Sequence, residues 1–379
     1  MKTKFRIRLI LSVLMLSLTA ITLTTSTFAW FATNRNAWFD EIELEIGNTD
    51  SLLVSVDGVS YRSSIPSDMV KRAVVAKKKN IPYNNRALDQ ENFIQNEWKK
   101  LSLEPITTTD LKTYKGVDKK YTYIEDGITY FDLQEVKEET NYSYLEFDVW
   151  FRVDASKTAN KNYDLKLVTD EYIEQEKNAG NTVSPSYITG TDSEVLLYNN
   201  LNTQGKEDDR TGKRADGTEY QKGKYVSGDK LKVNCRDAMR LGITRLEQKN
   251  KEDIEKFIFE PYEGLGSYAL SNYIDTIEEG YYKYDPNKNA MYTYFNNLNE
   301  AKLKPLDNEE FDFVAKIHRN GLKDDISLGE IVPNDTSSAY TTIKFTISVW
   351  LEGYDADYIV GMYNTSLKMY LNFYVEEKK

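Results

Sequence analysis

Tyr144-Leu-Glu-Phe-Asp-Val-Trp-Phe-Arg-Val153 alternates along its length, with Leu145, Phe147, Val149 and Phe151 on one side. Period two is the repeat of a β-strand, because successive side chains point to opposite faces of a sheet. The same rhythm recurs on both sides of this stretch. Ile42-Glu-Leu-Glu-Ile46 alternates strictly, and Leu52-Leu-Val-Ser-Val56 runs through an Asp57-Gly58 turn into Val59-Ser-Tyr61. Tyr163-Asp-Leu-Lys-Leu-Val168, Ile343-Lys-Phe-Thr-Ile-Ser-Val-Trp-Leu351 and Leu367-Lys-Met-Tyr-Leu-Asn-Phe-Tyr-Val375 follow. Alternation, as opposed to continuous apolar runs, marks antiparallel sheets with one buried face. The chain reads as mainly β: an antiparallel β-sandwich, jelly-roll-like or Ig-like, in which the wide separation of the first and last strands implies long connections.

Between the strands lie two tyrosine-rich hairpins. Tyr121-Thr-Tyr-Ile meets Asp126-Gly127, a favoured two-residue turn, and returns as Ile128-Thr-Tyr-Phe131. Tyr281 to Asn289 returns through Met291-Tyr-Thr-Tyr-Phe295. Cross-strand aromatic pairs support such hairpins, and packing accounts for these rings better than a contact surface does. Helices are few: one or two short ones, at Asp89–Leu101, where Phe93, Ile94, Trp98 and Leu101 have helical spacing, and at Leu265–Ile277. Long insertions fall around 62–140 and 199–228, the second polar and punctuated by glycine. The Val-Trp strands around Trp150 and Trp350 resemble each other as two core strands obeying one packing rule.

Composition narrows the classes of function. The 379 residues carry a net charge of -11, with 40% hydrophobic and 13% aromatic residues, too apolar for a disordered chain. The acidic balance argues against nucleic acid as partner. A single Cys and a single His exclude an intramolecular disulfide, a Cys-based zinc cluster and any His-pair metal site.

The N-terminus has the pattern of an export signal. Lys2, Lys4, Arg6 and Arg8 precede an apolar run from Leu9 to Leu23, and no charge follows before Arg35. Cations stay on the cytoplasmic side while the apolar run enters the bilayer, so the remainder is expected outside the cell. Thr27-Phe-Ala29 offers small residues for a cut between Ala29 and Trp30. The Thr/Ser-rich end of the run favours cleavage, so residues 1–29 read as a signal peptide and 30–379 as the exported domain. An uncleaved N-terminal hydrophobic helix anchoring the chain in the membrane is the alternative.

No catalytic constellation emerges. Gly264-Leu-Gly266-Ser-Tyr-Ala269 matches a dinucleotide-binding pattern but lacks the parallel βαβ unit around it, and Pro261 interrupts its approach. Ser227-Gly-Asp-Lys230 matches S-x-x-K without its companion motifs. His318 reads as a strand residue and Cys235 as a buried free thiol. Acidic clusters at Glu207-Asp-Asp209, Asp324-Asp325 and Asp355-Ala-Asp357 have the oxygens for Ca²⁺ but not the loop spacing that wraps it, so no cofactor is expected. Lys71, Arg72, Lys77, Lys78 and Lys79 form the one basic cluster, a surface contact for anionic wall polymer or lipid headgroups, or else a hydrated loop.

Ser26-Thr-Phe-Ala-Trp-Phe31, followed by Asn34, resembles the leader exit of exported camelysin/TasA-type proteins of Gram-positive bacteria. It is closer still to uncharacterised relatives with an A-W-F junction. Asp50-Ser-Leu-Leu-Val-Ser55, Tyr144–Phe151, Arg236-Asp-Ala-Met-Arg-Leu-Gly-Ile243, Ile258-Phe-Glu-Pro261 and Val349-Trp-Leu-Glu-Gly-Tyr-Asp-Ala-Asp357 fit that group too. The resemblance implies a surface sandwich, in a group some of whose members polymerise into biofilm fibres by strand exchange. The T-A-G-T-L-D-L start of the fibre-formers is replaced here by Asp40-Glu-Ile-Glu-Leu-Glu-Ile46, and no zinc-ligand set accompanies the protease activity attributed to camelysin. The expectation is a non-enzymatic envelope protein that scaffolds, adheres or self-associates. A secreted glycan-binding module or hydrolase, using paired carboxylates and stacking aromatics, is the alternative.

Overall fold

The computed structural model describes residues 37–47, 52–108, 111–112, 114–125, 128–136, 140–154, 161–196, 201–202, 212–213, 217–219, 224–225, 229–246, 253–259, 261–262, 277–278, 281–282, 316–318, 322, 325–332, 340–353, 358 and 365–378. In chain order the elements that matter are β1 (Ala37–Ile46), β2 (Leu52–Ser55), β3 (Ser64–Ile65), α1 (Ser67–Lys79), α2 (Phe93–Trp98) and β4 (Pro105–Thr107). There follow β5 (Lys115–Glu125), β6 (Ile128–Val136), β7 (Tyr144–Asp154), β8 (Tyr163–Leu167), α3 (Asp170–Asn178) and β9 (Tyr187–Gly190). The remainder are β10 (Asp192–Leu196), β11 (Lys230–Asn234), β12 (Met239–Leu246), β13 (Asp253–Phe259), β14 (Lys316–His318), β15 (Gly329–Ile331), β16 (Tyr340–Glu352) and β17 (Thr365–Glu377). The protein is mainly β, and most of its strand pairs are antiparallel.

Two large sheets carry the fold. One has six strands in the order β15-β8-β17-β1-β3, with β9 also on β17. The other, of nine strands, runs β14-β13-β12-β16, where β16 pairs with β7, β7 with β2, and the end of β16 with β4, β5 and β6. The alternation read in the sequence becomes burial. Leu145, Phe147, Val149 and Phe151 of β7 meet Phe345, Ile347 and Val349 of β16 in register, and all are at most 1% exposed. Phe39, Ile42 and Leu44 of β1 and Leu367, Met369, Leu371 and Phe373 of β17 belong to the same buried cluster, so both sheets feed one core. Phe151 from one sheet lies 4.7 Å, centroid to centroid, from Phe373 of the other.

Three features depart from the sequence reading. The first and last strands are direct neighbours: β1 pairs in parallel with β17 from Ala37↔Thr365 to Ile46↔Phe373, inside a sheet whose other pairs are antiparallel. A register shift between Phe39 and Glu41 makes Asp40 the extra residue, which brings Phe39 and Ile42 to the same face although they lie three apart. The basic cluster is not a hydrated loop but helix α1. Val70, Ala73 and Val74 sit at i, i+3, i+4 spacing and join the core, Asp68 lies in the first turn and Lys77–Lys79 in the last, as the helix dipole favours. Asn80 closes α1 in the left-handed region, and its N–H and that of Ile81 take up the last carbonyls. The helix expected over 89–101 is shorter, a 3-10 turn at Arg86–Asp89 followed by α2.

Other elements follow the sequence only in part. The Tyr121–Phe131 hairpin pairs as expected, Tyr121↔Phe131 to Glu125↔Ile128, with its Asp126-Gly127 turn outside the described residues. The return after Asp57-Gly58 narrows to one isolated pairing, Val54↔Arg62. Tyr281-Tyr282 pairs back with Ile277-Glu278, while the expected 291–295 arm and the rest of Leu265–Ile277 lie outside the described residues. Helix α3, unread in the sequence, is capped by Thr169 and covers the outer face of the six-stranded sheet through Tyr172, stacked on Tyr374 at 3.9 Å. Among the described residues no helix is long and apolar enough to cross a membrane. The leader, Ala29 and Trp30 lie outside them.

Candidate functional site: a cleft between helix α1 and the outer face of β7

The strand parity that buries Phe147 and Phe151 sends Glu146, Asp148 and Trp150 to the other face of the nine-stranded sheet. Helix α1 lies against that face. Between them opens a cavity of about 520 Å³, lined by Ala73, Ala76 and Lys77 of α1, Asp148 and Trp150 of β7, the 56–60 turn and Ile81-Pro-Tyr-Asn84. That volume is in the range of small-ligand sites.

Each wall is held by specific bonds. Ser55 pairs with Trp150 across β2 and β7, and its hydroxyl donates to Asp57 Oδ1 (2.7 Å) while accepting from the Gly58 amide (3.0 Å). Asp57 Oδ1 also accepts from the Val59 and Ser60 amides at 2.8 and 2.7 Å. Gly58 has φ +72, and a Cβ there would lie 3.2 Å from Trp150 Cε2, so the turn needs glycine on both counts. The 81–84 wall is tied to α1 by Arg72, whose Nε donates to the Tyr83 carbonyl (2.9 Å) and whose guanidinium lies 5.2 Å from the Tyr83 ring. Lys344 Nζ lies 4.8 Å from the Trp150 ring. Both aromatic rings of the cleft are therefore fixed beside a cation.

The two lysines of the cleft are matched by carboxylates, and Asp57 is held by hydrogen bonds alone. Asp148 accepts from Lys77 (2.7 Å) and from Thr346 Oγ1 (2.8 Å) through Oδ1, and from Lys344 (2.5 Å) through Oδ2. Glu146 lies 3.6 Å from Lys77. Burial pushes the Asp148 carboxyl upward, but the charge of Lys77 and the hydrogen bonds from Lys344 and Lys77 outweigh it and hold the group below the usual carboxylate range. Asp57 is likewise raised by burial and then carried below its ordinary value by its bonds to Ser55, Ser60 and Val59. Neither carboxylate has the raised pKa of a proton-donating acid. Against these committed groups, the Trp150 indole N–H, the Tyr83 hydroxyl and the Asn84 carboxamide have no hydrogen-bond partner among the described residues.

The five cations singled out in the sequence lie together on α1, and each has a partner within the chain. Lys71 donates to the Asp40 carbonyl (2.5 Å), Arg72 pairs with Asp89 (2.8 Å), Lys77 with Asp148, and Lys79 with Glu97 (2.7 Å). Lys78 Nζ lies 3.3 Å from the centroid of Tyr144, which stacks on Tyr114, and burial pulls this ammonium down to about 7. Glu97 also accepts from Lys100 (2.7 Å) and the Tyr142 hydroxyl (3.1 Å). Burial works to raise its carboxyl, but these three donors hold it at about 2.

Cys235 is fully buried, and burial raises its thiol to about 12. His318 lies on β14, paired with Phe259 of β13. Asp325 pairs with Lys166 at 2.7 Å. Residues 207–209, 227, 264–270, 324 and 355–357 lie outside the described residues. Among the described residues no group of three or more His, Cys, Asp or Glu is placed to hold a metal ion. Sequence reasoning singled out Lys77, Trp150 and the Asp57-Gly58 turn separately but missed the cleft they line, because its walls come from segments far apart in the chain. Comparison with protein-family models, with curated proteins and with solved structures gives no match.

Proposed function

We propose that this chain is an exported cell-envelope protein of structural or adhesive character, a β-sandwich that works by contact and not by turnover. The observation that carries the reading is the shared core of the two large sheets, built around β1, the first described strand after the apolar leader. Such a scaffold holds the segments packed on its outer sheet faces, the α1–β7 cleft among them, in place for contact. The low-pKa carboxylates of the cleft support binding over hydrolysis, since glycoside hydrolysis needs one carboxyl protonated near neutral pH. The leader pattern and the likeness to camelysin/TasA-type proteins support an envelope location, and self-association through an exposed strand edge belongs to the same reading.

Cell fractionation followed by mass spectrometry of the N-terminus tests it. Protein in the envelope or medium, beginning at Trp30 or retaining the leader as an anchor, is the expected result. Full-length protein dissolved in the cytosol would overturn it.

A further inference from the structure

We infer that the cleft between α1 and β7 is a binding site for an uncharged saccharide of two or three rings. Three observations converge on that chemistry. The first is surface: Trp150 and Tyr83 line the cavity beside Val56, Ala73, Ala76, Ile81 and Pro82, which suits a ligand with a C–H face. The second is hydrogen bonding: the Trp150 N–H, the Tyr83 hydroxyl and the Asn84 carboxamide are uncommitted among the described residues, and between them donate to and accept from hydroxyl groups. The third is charge: Lys77 and Lys344 are matched by Asp148 and Glu146, and Asp57 adds a further negative charge on the wall. An anionic polymer finds no unmatched cation there. A metal cation finds too few open carboxylate oxygens, since both Asp148 oxygens and Asp57 Oδ1 already accept from protein groups and only Asp57 Oδ2 is left. A neutral polyhydroxy ligand fits what remains, and the cavity volume of about 520 Å³ holds two or three pyranose rings. Because Lys344 and Arg72 already hold the two rings in place, little side-chain ordering is left to do on binding.

The inference rests on the envelope reading for where the sugar is met, and not for the chemistry of the site. Isothermal titration of the exported protein with tri-N-acetylchitotriose, cellotriose and maltotriose, and with poly(glycerol phosphate) as an anionic probe, tests it. At least one of the three sugars should bind and the polyanion should not. Tyr83→Ala and Asn84→Ala should each weaken sugar binding about tenfold, the change expected for one lost polar or stacking contact. Tyr83→Phe separates ring from hydroxyl, and a thermal melt confirms that each variant is folded; Asn84 is exposed, so its variant carries the test if Tyr83→Ala unfolds. No binding of any of the three sugars, binding untouched by Asn84→Ala and Tyr83→Phe, or preference for the polyanion would overturn the inference. Envelope location is read separately: a cytosolic protein that still binds sugar removes only the earlier proposal, and an envelope protein that binds none removes only this one.

Discussion

Truncating Phe151 to alanine should reveal whether the two sheets hold each other. Phe151 is 1% exposed, meets Phe345 of its own sheet edge-on at 5.9 Å, and reaches Phe373 of the opposite sheet at 4.7 Å. A buried Phe→Ala change loses the transfer free energy of the ring and leaves a cavity, together about 3–5 kcal/mol. Phe373→Ala should cost about the same, since that ring is equally buried. The pair should not be additive: the second truncation enlarges an existing void and has no ring contact left to break, so the double variant should fall about 1 kcal/mol short of the sum. Urea unfolding followed by tryptophan fluorescence and far-UV circular dichroism measures all three, and Phe151→Leu gives a milder point if the alanine variant is too unstable to purify. A cost below about 1.5 kcal/mol for either single change would contradict the burial, which assigns the full large-to-small penalty. Strict additivity would mean that Phe151 and Phe373 do not share one core.

Gly58→Ala should lower stability by about 1–3 kcal/mol, because φ +72 strains any side chain and the new Cβ presses on Trp150; a melting curve unchanged from wild type would refute it. Glu97→Gln should reduce the acid sensitivity of the fold by one group's share. The carboxyl at about 2 lies below its usual 4.5, so its contribution is present above pH 4.5 and is lost as pH falls toward 2. After allowance for solvent screening that contribution is about 1–2 kcal/mol, read as the difference between pH 6 and pH 3 unfolding curves of the two proteins. Lys78 should stand out when the lysines are reductively ¹³C-methylated: one resonance titrating near 7 and missing in Lys78→Met, where a uniform set near 10.5 would refute the burial argument. Cys235 should be inert to a disulfide reagent at pH 8 in the native protein and react fully in guanidinium, with rapid native reaction as the contrary outcome.

The strands were legible because their signal is local. Tyr144–Val153 shows its buried face in its own alternation, and Asp126-Gly127 marks its hairpin in two residues. Helix α1 was hidden because Val74-Val75 has strand propensity and Lys77-Lys-Lys79 suggests solvent. Its helical face shows only once Val70, Ala73 and Val74 are set against a core that other segments supply. The Val-Trp strands show the same limit. Trp150 and Trp350 both face away from the main core, yet Trp350 is fully buried, in a cluster with Ile106, Leu111 and Ile258, while Trp150 stays half-buried at the cleft. Nothing local distinguishes the two. The cleft was illegible for a stronger reason: Asp57, Tyr83 and Asp148 meet only through the pairing of β2 with β7 and the packing of α1, which are products of tertiary structure.

The union of β1 with β17 imposes an order on assembly. The ion pair of Glu41 with Lys368 spans 327 residues, so the six-stranded sheet cannot zip until the tail of the polypeptide is free. Under the export proposed above, β1 would reach the far side long before its partner, and the six-stranded sheet would close only once β17 had followed, as a purse closes when its drawstring has been pulled clear.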